Sequence, residues 1–124
     1  AIDESLTGED QQKVLDFARP STALYVGGMG ARGKNFYNDI CKSYGYEKEA
    51  VEIQDLYLDG KKQEAAAKVP SDWLLNSHLV GPKGFIKERL SAFKEAGVTV
   101  ISVNPIGPDA VQQVELLRTL MDEI

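Results

Sequence analysis

The chain has 124 residues, 43% of them apolar and 27% charged, a balance suited to a folded core and not to disorder. Lys and Arg number 14 against 19 Asp and Glu, a net charge of −5 that excludes a nucleic-acid backbone as the expected partner. One cysteine, Cys41, leaves no intrachain disulfide, one histidine, His78, leaves no His-rich metal site, and no apolar run reaches the roughly 20 residues that cross a bilayer. A cytoplasmic protein with no membrane partner is expected. The opening Ala1-Ile2-Asp3-Glu4-Ser5, with neither Met nor a signal-peptide pattern, reads as the start of a processed or excised segment.

In chain order, Thr7 with Asp10 three residues later has the form of a capping box, opening a helix through about Ala18 with Val14, Phe17 and Ala18 on one face. Pro20 ends or kinks it. Ala23–Val26 is a short apolar run of either strand or buried helix, followed by Gly27, Gly28, Gly30 and Gly33. Phe36, Ile40, Cys41 and Tyr44 have helical spacing, stopped by Gly45. A second helix starts near Glu47, carries Ala50, Ile53 and Tyr57, and closes at Asp59-Gly60. Lys61–Lys68 is short and Ala-rich, and Ser71 caps one more turn in which Trp73, Leu74 and Leu75 are buried. Pro82 opens a helix with the face Ile86, Leu90 and Phe93, and Gly97 stops it. Val98–Val103 has the strongest strand character in the chain, with four β-branched aliphatic residues and one Thr among six. After the loop Asn104–Gly107, a last helix starts at Pro108-Asp109 with Val111, Val114, Leu117 and Met121 facing inward. No repeat or linker interrupts the chain, so residues 1–124 are expected to form a single segment.

An apolar strand between two helices is the phrase used in parallel α/β sheets with both faces covered. One strand cannot satisfy its own backbone, and the chain offers no good neighbour. Two explanations follow. The segment belongs to a larger α/β protein, or it is a small helical interaction module pairing its strand across an oligomer.

The chemical candidates are few. Gly28-x-Gly30-x-x-Gly33 has the dinucleotide-binding spacing, with Glu52 or Asp55 about 20 residues on, but the strand before it is short and Glu49–Leu58 has helical periodicity. Packing glycines in helical structure explain the cluster better. Arg32 and Lys34 flank Gly33 and are candidate contacts for a phosphate or carboxylate. Asn104 follows the apolar strand at the end where α/β folds place ligands. His78 and Cys41 read as structural. No nucleophile triad, metal-ligand spacing or P-loop occurs, and no catalytic residue is assigned.

Several phrases carry a family resemblance: Leu24-Tyr25-Val26-Gly27-Gly28-Met29-Gly30, Asn35-Phe36-Tyr37-Asn38, Gln54–Lys61, Leu79-Val80-Gly81-Pro82, Ala96–Val100 and Val103–Pro108. From about Arg19 to the last helix the chain resembles the C-terminal portion of luciferase-like monooxygenase-family oxidoreductases, nearest to those dependent on coenzyme F-420. The resemblance implies an α/β fold, the C-terminal third of a (β/α)8 TIM barrel, mostly helical with one parallel-type strand at 98–103. It also implies hydride transfer with a deazaflavin (F-420) or, alternatively, FMN, a small-molecule substrate, and a homo-oligomer. Arg32, Lys34 and Asn104 are then candidates for cofactor binding. The chain by itself is expected to be inactive, because most of such a site comes from elsewhere.

Overall fold

The computed structural model describes residues 1–124 and contains helices joined by turns. In order these are α1 (Gly8–Asp16), α2 (Arg19–Ala23), a wide π-helical turn (Leu24–Gly28), α3 (Phe36–Ser43), α4 (Glu47–Leu58), α5 (Lys62–Ala67), α6 (Ser71–Ser77), α7 (Lys83–Glu95) and α8 (Ala110–Asp122). No strand or sheet forms; the single β-type contact is a bridge between Ile2 and Gly81. The α/β expectation is therefore corrected: the protein is helical, and Val98–Val103 belongs to no sheet. The reason is pairing. β-branched residues favour an extended backbone, but a strand exists only beside another, and no amide from Thr99 to Val103 donates to a backbone carbonyl.

Two compact units make up the chain, one of residues 15–74 and one of residues 1–14 with 75–124. In the unit of residues 15–74, α4 lies against the π-turn and α5, burying Ala50 and Ile53 with Ala23, Val26, Cys41 and Ala65. Its close approach to the π-turn depends on two missing side chains. A Cβ on Gly27 would lie 2.5 Å from Tyr57 Cβ and 3.0 Å from the Ile53 carbonyl oxygen, and one on Gly28 would lie 2.5 Å from the Tyr57 ring. These glycines pack helix on helix. The dinucleotide-loop alternative is thereby also corrected, since no strand precedes Gly28 and the turn faces Tyr57.

Arg19 ties the same unit together. Its Nη1 donates to the carbonyl of Val69 at 2.5 Å, its Nη2 to Ser71 Oγ at 2.7 Å and its Nε to Asp16 Oδ1 at 2.7 Å. The guanidinium thus satisfies a carbonyl just beyond the C-terminus of α5, where helix geometry leaves acceptors without partners.

The other unit gathers Ile2, Ile86, Leu90 and Leu120, with Leu79, Phe85, Ile101, Leu116 and Leu117 packed against them. Gln113 clamps the N-terminal segment to α8, its Oε1 accepting from Ile2 N at 2.6 Å and its Nε2 donating to Ile2 O at 3.2 Å. α7 ends as expected at Gly97 (φ 90°), where Val98 N donates to Phe93 O and Gly97 N to Lys94 O. The same pair of bonds closes α4 at Gly60 (φ 80°). Of the expected inner face of α8, Leu117 faces the core, but Val111, Val114 and Met121 are exposed, and Leu116 and Leu120 complete the buried face. Phe17 and Phe36 are likewise exposed, and Leu15 is the buried residue of α1.

Candidate functional site

The polar centre of the unit of residues 15–74 is a pair of buried amides. A wide turn leaves its last carbonyls without the usual amide four residues on, and here side chains replace those amides. Asn35 Nδ2 donates to the carbonyls of Tyr25 and Val26, each at 3.0 Å. Asn38 Nδ2 donates to Val26 O at 3.0 Å and to Ala50 O at 2.8 Å. Asn35 is also the N-cap of α3, its Oδ1 accepting from Asn38 N at 3.0 Å. Two side chains therefore join the π-turn, α3 and α4. Neither was expected to be buried; the extended residue before Phe36, in a cap-favouring Asn, was the available signal.

Above this frame the chain from Met29 to Lys34 forms a turn. It is held tightly at Gly30, where a Cβ would fall 2.4 Å from the Lys34 carbonyl oxygen. Arg32 leaves the turn and donates through Nε (3.0 Å) and Nη2 (2.9 Å) to one oxygen of Asp55 on α4. Both partners are more than half exposed, so the pair is readily competed by solvent or by another anion. Lys34 is exposed two residues on. Beside the turn, Tyr25 and Tyr37 meet edge to face at 4.8 Å and Phe36 meets Tyr37 at 5.8 Å, an exposed aromatic face.

Asn104 belongs to the other unit, exposed in the loop after Val103. Arg32 and Lys34 thus share one turn, whereas Asn104 lies on a separate unit. That unit also carries an apolar cleft of about 410 Å³ lined by Leu90, Phe93, Val98, Ile101 and Met121, with Lys94 the one charged side chain among its walls. Asn104 is not among the lining residues. His78 has its Nδ1 3.0 Å from Ser77 Oγ. Cys41 is fully buried, and burial, with the charge of Glu49 adding, pushes its thiol up to about 11. Such a thiol is protonated and unreactive at neutral pH, in keeping with a structural residue. No group of three or more His, Cys, Asp or Glu side chains is placed to hold a metal ion, and no helix is long and apolar enough to cross a membrane.

No protein-family model matches the chain, and no solved structure matches it. The chain is similar to a Mycobacterium tuberculosis (strain ATCC 25618 / H37Rv) protein provisionally named a coenzyme F420-dependent oxidoreductase. The two are 29% identical over 109 residues, 88% of this chain and 31% of the relative. The chain therefore spans about a third of the length of the curated relative it matches. This likeness, running through both compact units, supports a relationship to F-420-dependent oxidoreductases.

Proposed function

We propose that the chain is part of a luciferase-like oxidoreductase that transfers a hydride between coenzyme F-420 and a small-molecule substrate in the cytoplasm. The observation that carries this reading is the likeness over 88% of the chain to the mycobacterial protein named for that cofactor. A deazaflavin supplies the hydride chemistry when bound. The residues here suit its anionic portion and not its ring. Arg32 and Lys34 put two cations on one exposed turn, and Asp55 holds the guanidinium in place until an anion competes for it. The chain spans about a third of the relative's length, and in this reading the positioning of ring against substrate is assigned to the rest of such a protein.

The test is a titration of the purified chain with oxidised F-420, followed by deazaflavin fluorescence, with FMN in parallel, and a hydride-transfer assay on the same sample. Weak F-420 binding that falls with salt and with the double variant Arg32→Gln/Lys34→Gln, and no turnover, is expected. Clear turnover by the 124 residues alone overturns the partial-site reading. Preference for FMN overturns the cofactor assignment, and binding indifferent to both substitutions removes the turn from the site.

A further inference from the structure

We draw no further inference here: the strongest candidate, the largely exposed apolar segment Val98–Val103 that follows α7 and pairs with no strand, carries nothing because the structure does not show what covers it.

Discussion

Asn35 and Asn38 hold the π-turn by donating to the carbonyls of Tyr25 and Val26, which no backbone amide outside the turn reaches, and both are almost fully buried. Removing a donor leaves buried acceptors dry, at about 1–3 kcal/mol each, and a lost N-cap adds about 1 kcal/mol. Asn35→Ala, which leaves Tyr25 O without a donor and removes the cap, is therefore expected to cost about 3 kcal/mol by urea unfolding, and Asn38→Ala, after which Val26 O keeps its bond from Asn35, about 2 kcal/mol. Equal, sub-kcal/mol losses would show that water satisfies these carbonyls.

Cys41 gives a second test. Its thiol rises from an ordinary 9.0 to about 11 through burial, with the charge of Glu49 adding. A raised value means that the native state keeps the proton longer than the unfolded chain does. The stabilising contribution is full below 9.0 and is lost as pH climbs toward 11. The stability difference between the parent and Cys41→Ala should accordingly shrink across that window; a difference flat with pH would contradict it. The two kinds of residue were unequally legible. A Cys on an apolar stripe advertises burial by its own chemistry. A buried Asn is identified by carbonyls on another element, which no local pattern reveals.

At the scale of elements, contact between the π-turn and α4 turns on Gly27 and Gly28, and the two should respond differently. The Gly27 Cβ would meet Tyr57 Cβ and the Ile53 backbone, neither of which can rotate away. The Gly28 Cβ would meet the Tyr57 ring, which has room to adjust or can be shortened. Gly27→Ala is expected to cost about 3 kcal/mol and Gly28→Ala about 1–2 kcal/mol. Adding Tyr57→Leu should recover part of the loss for Gly28→Ala and none for Gly27→Ala, a coupling that a double-mutant cycle reads directly. Identical behaviour of the two variants would place the crowding elsewhere. Helix ends were legible for a related reason: Gly60 and Gly97 act through their own φ and bonds a few residues away. Helix faces were less so. α8 is apolar on two adjacent stripes, Val111/Val114/Met121 and Leu116/Leu117/Leu120, and periodicity alone cannot choose between them. The choice was made by Ile2, whose backbone takes the amide of Gln113 on the second stripe's side.

For the whole chain, the segment after α7 separates local preference from architecture. Val98–Val103 reads as a strand in five of its six residues, yet strand formation needs a neighbour, and the rest of the chain is committed to helices. The barrel expectation failed at that point, even though the oxidoreductase likeness read from the same phrases is supported by the mycobacterial relative. The consequence is measurable by amide hydrogen exchange. Thr99–Val103 make no backbone bonds and should exchange near unprotected-peptide rates, whereas amides around Ile86–Leu90 in α7 should be orders of magnitude slower. Val100 is 83% exposed, so Val100→Lys should change stability by less than about 0.5 kcal/mol, while Ile101→Ala, packed on the core, should cost more. Slow exchange from Thr99 to Val103 together with a large penalty for Val100→Lys would mean that this stretch is paired and covered in solution, and the helical description of that unit would have to be replaced.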